Sequence, residues 1–329
     1  MTVRVEAGAR LHVGFCNLSL AHERLYGGVG LALDEPRVVL RADRADGVDC
    51  ADPFVAACAR TACEVIDVAG ADVTVESTLP RHVGLGSGTQ VALATLAAVT
   101  AAHDRAPAVR ERAPAMGRGG RSGVGVAAFE AGGFVVDAGH PTERFTVDPP
   151  AVGEWTIPAI AVRRNVPPSW RFLLVVPDAD PGPSGDEETE RMRAVVEGAD
   201  PAVAEDLATL LVRRLLPAVA EGRLAAFGDA VGAFGRLNGA WYADEQGGVY
   251  RPPAGRIIDA LADRPAVRGV GQSSWGPTVF GVTDDSMADR ARAAAEDALA
   301  AAGVDGTVRV VRARNEGARV HPAGDGSTI

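Results

Sequence analysis

The chain has 329 residues, with 33 Lys and Arg against 43 Asp and Glu and a formal net charge of −10. Every basic long side chain is Arg, and no Lys occurs. This excludes the P-loop, whose GxxxxGK[ST] run needs its Lys, the protein-kinase strand Lys, and lysine Schiff-base chemistry. An anionic substrate must therefore be held by Arg, by backbone N–H groups or by a metal.

Apolar residues make up 47% and aromatic ones 5%, so the core is built from Ala, Val and Leu. No stretch of about 18 apolar residues exists to span a membrane. The start, MTVRVEAGARLHVGF, lacks a signal-peptide pattern, and a cytoplasmic location is expected. The acidic balance argues against a general nucleic-acid surface. Cys16, Cys50, Cys58 and Cys63 form no CxxC pair and are expected to be free thiols. No HExxH occurs, which disfavours a transition-metal enzyme.

In chain order, Val3–Glu6, Arg10–Phe15, Gly30–Leu33 and Arg37–Arg41 read as strands, from their alternation of apolar and polar residues. Asp52–Val68 reads as a helix opened by Asp-Pro, and Asp72–Ser77 as a strand. A Gly-rich loop, Pro80–Gly88, leads into an apolar helix over Thr89–His103. Arg110–Gly117 is expected to form a short helix, followed by a second Gly-rich loop to Gly125, a helix over Val126–Glu130 and a strand over Gly133–Ala138. The Pro-rich run from Thr142 to Ser169 is the expected boundary between units 1–160 and 161–329. Beyond it come strand Phe172–Val176 and helices Glu187–Glu197, Pro201–Glu221 and Leu224–Asn238. Strand Thr278–Val282, helix Ser286–Ala302 and strand Thr307–Ala313 complete an α+β pattern.

Three runs carry candidate chemistry. PRHVGLGSGTQ, Pro80–Gln90, places Gly84, Gly86 and Gly88 before a helix start, where free N–H groups and the helix dipole attract anions; Ser87, Thr89 and Gln90 add side-chain donors. Gly117–Gly133 sets Arg118, Gly119, Gly120, Arg121 and Ser122 at a second helix start, and Arg is suited to bidentate phosphate contacts. GVGQSSWGPTVFGV clusters Gln272, Ser273 and Ser274 ahead of Trp275. Each run also has a plain alternative: a tight turn, a solvated basic loop, or a turn packing a core Trp.

Together these runs resemble the GHMP kinase superfamily. PRHVGLGSGTQ is similar to its phosphate motif P-x-x-x-G-L-G-S-S-A, and RLHVGF and GVGQSSWGPTVFGV stand where its first and third motifs do. The resemblance implies a two-domain fold, with an N-terminal ribosomal-protein-S5-like domain and a C-terminal ferredoxin-like α/β sandwich. In the kinases an S-G-x-D run supplies the base; here Ser122-Gly123-Val124 is followed by Gly125. The basic partner in the first motif is identified with Arg10.

The chain more specifically resembles the β-ribofuranosylaminobenzene 5′-phosphate synthase family, through RLHVGF, YGGVGLAL, GLGSGTQ, GRGGRSGVGVAAFEAGGFVVDAGH, WRFLLVVPDADPGPSGDEE, EQGGVYR, GVGQSSWGPTVF and ARNEGARV. That resemblance implies condensation of phosphoribosyl pyrophosphate with 4-aminobenzoate or 4-hydroxybenzoate, with release of CO2 and pyrophosphate, as in methanopterin biosynthesis. An ATP-dependent small-molecule kinase is the alternative. The pyrophosphate is expected at GLGSGTQ and the 5′-phosphate at Arg118–Ser122. Arg10, His12, Gln246 and Gln272 are the expected catalytic residues, with His140 a further contact. Mg2+ is expected on hard oxygen ligands, with Glu130, Asp186 and Glu187 as candidates beside Asp137 and Glu188. A capped helix start explains SGDEE equally well. The expected partners are small molecules and a second copy of the chain in a homodimer.

Overall fold

A computed structural model describes residues 2–143 and 150–322. Part of the Pro-rich run, residues 144–149, therefore lies outside the described residues.

The chain opens with two long antiparallel strands, β1 (Val3–Asn17) and β2 (Arg24–Arg44). Sequence alternation divides each into two pieces, but each is continuous. The cause lies in the register shifts between Gly8 and Arg10 and between His12 and Gly14, which break the period-2 pattern without ending the strand. The second shift sits beside His12, in the run that later forms the site. A two-residue strand, β3 (Val48–Asp49), precedes helix α1 (Pro53–Ile66). Asp52 caps α1, its Oδ1 accepting from Phe54 N and Val55 N at 2.9 and 3.0 Å, with Pro53 at the first helical position.

Strand β4 (Ala71–Ser77) pairs antiparallel with β2 and parallel with β3. Helix α2 (Ser87–Ala102) then lies against this sheet and is apolar almost all round, as a helix buried between layers must be. A turn of helix, α3 (Val109–Arg112), precedes α4 (Val124–Glu130), β5 (Phe134–Asp137), β6 (His140–Pro141) and β7 (Ile160–Arg164). β5 and β6 pair with β2, and β7 with β5.

The second sheet begins with β8 (Trp170–Pro177). Three helical segments follow: α5 (Asp186–Gly198), α6 (Pro201–Leu210) and α7 (Leu216–Ala220). The single helix expected over 201–221 is interrupted by a π turn at Leu211–Leu215. Pro217 has no N–H to bond the carbonyl four residues back, and the wider turn absorbs that loss. Next come α8 (Leu224–Trp241), α9 (Ala243–Gln246), α10 (Ala254–Ala262), β9 (Arg268–Gln272), β10 (Val279–Asp284), α11 (Ala288–Ala302) and β11 (Gly306–Val311). The sheet order is β11-β8-β10-β9, all antiparallel. Finally β12 (Arg319–Pro322) returns to pair with β1 in the first sheet.

Both faces of β8 are covered, which explains its unbroken apolar run WRFLLVVP. Leu173 and Val175 point to a cluster with Ile257, Leu261 and Ala295 from α10 and α11. Phe172 and Leu174 point the other way, into a core shared with Phe227 and Phe234 of α8 and with Leu11 and Leu31 of the first sheet. All four cysteines are free thiols. Among the described residues no helix is long and apolar enough to cross a membrane.

Candidate active site

The three runs singled out in the sequence converge on one place, and hydrogen bonds knit them together. Arg10 N donates to Leu85 O at 3.1 Å, and Thr278 N to Val83 O at 3.1 Å. Ser273 Oγ donates to Gly84 O at 2.8 Å and accepts from His12 N at 3.1 Å, while Ser274 N donates to His12 O at 3.0 Å. Gly84 (φ +92°) must be glycine: a Cβ there would stand 2.2 Å from Ser273 O.

Two adjoining cavities open at this junction. The outer one is lined by Gly84, Gly86, Ser87, Gly88 and Thr89 at the head of α2, and by Arg10, Arg81, Arg118 and Arg121. α2 starts at Ser87, two residues earlier than expected, after Gly86 in the left-handed region, and no side chain caps it. Its first N–H groups are thus available to an anion, with the positive end of the dipole behind them. Arg118 lies over this helix start, its Nη1 3.1 Å from where a Gly88 Cβ would be. Burial lowers the pKa of Arg118, and lowers that of Arg10 to about 10. The Nε atoms of both are buried without a hydrogen-bond partner. Glu188 is the carboxylate on this wall. Four guanidinium groups against one carboxylate make the outer cavity strongly attractive to anions.

The inner cavity shares Arg10, Thr89, Gly119, Arg121, Glu188, Ser274 and Trp275 with the outer one. Its remaining wall is aromatic and amide-rich, with Phe15, Asn238, Tyr242, Gln246, Tyr250 and Gln272. His12 and Ser122 also line it. His12 is 3% exposed; burial, and after it the Arg10 charge, hold its pKa well below the usual histidine range, so the imidazole is neutral. Burial pushes Tyr250 up to about 12 and raises Tyr242 as well, so both remain phenols.

The second glycine-rich loop is held from behind by Asp137. Its Oδ2 accepts from Ser122 Oγ at 3.0 Å and Gly123 N at 2.7 Å, and its Oδ1 from Gly139 N at 2.9 Å. Burial raises its pKa, opposed by these donors. Asp137 is therefore committed to the loop and is not a free metal ligand. Gly119 and Gly120 back onto Ile157 and Trp155, and Trp155 Nε1 donates to Arg118 O at 3.0 Å.

Several expected residues sit differently from their sequence reading. Gln272 Nε2 donates to Gln246 Oε1 at 3.2 Å and Ser274 O at 3.0 Å, and its Oε1 accepts from Arg251 N at 2.7 Å. Gln246 Nε2 donates to Val249 O at 2.8 Å. These amides brace the cavity wall, so their polar atoms are largely occupied. Gln90 Nε2 donates to Gly125 O at 2.8 Å, tying α2 to α4. Ser273 lies behind the wall rather than on it. His140 lines neither cavity.

The carboxylates Glu130, Asp186 and Glu187 do not come together. Glu130 pairs with Arg110 and Glu187 with Arg191, and none of the three lines either cavity. Among the described residues no cluster of three or more His, Cys, Asp or Glu could hold a metal ion. Glu188 lines both cavities instead, bonded to Arg121 at 3.1 Å. The SGDEE run does begin a helix, but with Gly185 and no side-chain cap. Arg81 and Tyr250 lie inside the quoted runs PRHVGLGSGTQ and EQGGVYR without being candidates there, and Asn238 and Tyr242 lie outside all of the quoted runs; packing brings all four to the cavities.

Comparison with known proteins agrees with this geometry. Residues 53–133 match the GHMP kinases N terminal domain, and residues 215–301 the GHMP kinases C terminal family. The chain is 33% identical over 310 residues to beta-ribofuranosylphenol 5'-phosphate synthase of Methanothermobacter thermautotrophicus, covering 89% of this chain and 92% of that protein. It is 33% identical over 327 residues to the protein of the same name from Archaeoglobus fulgidus, covering 97% and 99%. Among solved structures, homoserine kinase from Cytophaga hutchinsonii superposes with a TM-score of 0.64 at 16% identity over 97% of both chains. Mevalonate pyrophosphate decarboxylase from Streptococcus pyogenes gives 0.65 at 10% identity, over 96% and 97%. These two likenesses speak for the fold alone. With its two-part GHMP match and near full-length similarity to the archaeal proteins, the chain belongs to the beta-ribofuranosylphenol 5'-phosphate synthase family on the GHMP kinase fold.

Proposed function

We propose that the protein joins phosphoribosyl pyrophosphate to 4-hydroxybenzoate or 4-aminobenzoate, releasing CO2 and pyrophosphate. The observation that carries this reading is the pair of joined cavities: an outer one with four Arg and an open helix start, and an inner one walled by aromatic rings and amides. The first suits a donor bearing a pyrophosphate, the second an aromatic acid. Unit 1–160 supplies the glycine-rich loops for the donor, and unit 161–329 supplies most of the acceptor wall.

In this reading the pyrophosphate lies on Gly86–Thr89 and Arg118, and the 5′-phosphate reaches Arg121. Charge on the departing pyrophosphate is met by N–H groups and guanidinium groups already in place, which lowers the barrier to leaving. The acceptor ring carbon that bears the carboxylate then attacks the ribosyl carbon. Arg10, common to both cavities, aligns the acceptor carboxylate with the donor. The braced amides Gln246 and Gln272 fix the shape of the wall.

A divalent cation fits this donor set in one way only. Mg2+ commonly takes one or two protein carboxylates and completes its shell with substrate phosphates and water. Glu188 is the carboxylate placed for that role, and the ion would neutralise pyrophosphate charge. The protein's place in this scheme is cytoplasmic.

The test mixes protein, Mg2+, phosphoribosyl pyrophosphate and either acid, and measures CO2 and pyrophosphate. Release of both in equal amounts is expected. Absence of both, with ADP formed from ATP and a small alcohol, would sink the proposal.

A further inference from the structure

The inner wall carries a buried ring nitrogen with nothing to bond. His12 Nε2 is enclosed by protein and has no hydrogen-bond partner. Leaving such an atom unpaired costs about 1–3 kcal/mol, so an orphan on a cavity-lining residue points to a group on the ligand. The ring itself is fixed. Its backbone is held on both sides by Ser273 and Ser274, and its edge packs on Phe15 at 4.7 Å between centroids, 65° between planes. His12 lines the inner cavity and not the outer one, so it faces the acceptor rather than the donor phosphates.

We propose that His12, in its Nδ1–H tautomer, accepts at Nε2 the hydroxyl proton of a 4-hydroxybenzoate-type acceptor and returns it within the same turnover. This rests on the transferase reading above and gives His12 a catalytic role in it.

The ring carbon bearing the carboxylate forms a bond to the ribosyl carbon, and the C–O pair leaves with pyrophosphate. The ring is then a protonated dienone. Its O–H pair stays on the oxygen as a lone pair when the proton passes to Nε2, which leaves a neutral dienone. When the bond to the carboxylate breaks, CO2 departs and that pair restores the aromatic ring. The oxygen recovers its proton from the imidazolium. No proton is gained or lost overall.

The weak basicity that burial imposes on His12 suits this exchange. A protonated dienone is far more acidic than an imidazolium, so a weak base removes its proton. The same weakness speeds the return. Two other orphaned atoms lie on this wall, Arg10 Nε and the Tyr250 hydroxyl. Neither can act as the base, since one is a cation and the other is a neutral phenol that binds no proton in this range.

An amine acceptor makes no such demand. Attack by 4-aminobenzoate leaves an iminium nitrogen that carries its positive charge until CO2 leaves. The two acceptors therefore separate proton transfer from every other role of His12.

The test compares His12→Asn with wild type on both acids, reading CO2 release. With 4-hydroxybenzoate, kcat should fall by roughly 100-fold or more, in the usual range for a lost general base. With 4-aminobenzoate the fall should stay within about tenfold. The variant-to-wild-type ratio should also recover with 3,5-difluoro-4-hydroxybenzoate, whose hydroxyl is already ionised near neutral pH. Equal losses on both acids, no loss on either, or no recovery with the fluorinated acid would overturn the proposal, as would a wild type that uses only the amine. Where wild type uses only the hydroxyl acid, the fluorinated acid decides. If neither His12→Asn nor His12→Gln folds by circular dichroism, the wild-type solvent deuterium isotope effect decides: larger with the hydroxyl acid than with the amine supports the role, and equal effects overturn it. A wild type inactive with both acids is the separate failure of the transferase reading.

Discussion

Arg121 Nη1 donates to Glu188 Oε1 at 3.1 Å, joining the second glycine-rich loop to the first turn of α5 across 67 residues of sequence. Arg121 Nη2 also donates to Thr189 Oγ1 at 3.0 Å. Both partners of the ion pair line both cavities, and both are partly exposed. A pair of this kind is worth about 0–1 kcal/mol, so an arriving phosphate can take the Arg and a cation the carboxylate at little cost. Glu188→Gln is expected to raise the half-saturating Mg2+ concentration about tenfold, equivalent to about 1.4 kcal/mol. Urea unfolding should shift by less than about 1 kcal/mol. A Mg2+ titration of activity checks the first and a denaturation curve the second.

That carboxylate also marks where the sequence stopped being readable. The glycine-rich loop before α2 was legible because turn residues and a helix start are local signals. The helix begins two residues before the expected Thr89 because Gly86, not a capping side chain, precedes it. β9 was hidden by its glycines, which removed the alternation that marks a strand. α10 was hidden behind Pro252-Pro253. Of the metal candidates, Asp186 and Glu187 stand out as hard oxygen ligands in the SGDEE run and Glu130 as one near the second glycine-rich loop. Which of three adjacent acids turns inward depends on how α5 packs, and Glu188 is the one that meets Arg121. Similarly, Asn238 and Tyr242 stand one turn apart at the end of α8 among apolar and small residues, with no turn chemistry or charge to mark them.

The contact between Gly84 and Ser273 sets a stability test. Gly84→Ala would force a side chain into a left-handed conformation and against Ser273 O. A loss of at least about 2 kcal/mol is expected from the backbone strain and the clash. Ser273→Ala leaves His12 N without its partner and Gly84 O with only the longer bond from Arg10 Nη1 at 3.3 Å, and should cost about 1–3 kcal/mol. Because both changes damage one contact, the double variant should lose less than the sum. Urea unfolding of the three variants measures this directly.

Acid should weaken the fold through its buried histidines. Burial holds His12 well below 6.5 and brings His140 down to about 4. Below pH 6.5 the unfolded chain binds protons that the folded chain does not, so stability falls as pH falls. Between pH 7 and pH 5 the loss should be about 1–2 kcal/mol per histidine. Asp137 acts in the opposite sense. Burial raises its pKa above 3.8, so its contribution declines as pH rises through the folded value. Unfolding curves at the two pH values test the net sign, and His12→Asn should reduce the difference. Stability that rises on acidification would contradict the assignment of neutral buried rings.

Gly125 lies in the first turn of α4, at the position that the resemblance of the Ser122–Gly125 run to the kinase S-G-x-D run implies for a base. A Cβ there would lie 3.1 Å from Thr89 Cγ2, at the wall common to both cavities. Gly125→Asp is therefore expected to press on Thr89 and to bring a negative charge toward the donor phosphates. Gly125 is buried in this turn, so an unpaired carboxylate there also costs stability, and circular dichroism of each variant is read beside its activity. The expected result is a fall of roughly 100-fold in kcat/KM for phosphoribosyl pyrophosphate, about 2.7 kcal/mol of transition-state stabilisation. Gly125→Ala, which adds the Cβ without the charge, should lose less than about tenfold. Measuring both separates crowding from repulsion. Equal losses would assign the effect to Thr89 alone. Unchanged activity in the Asp variant would move the donor away from the head of α2.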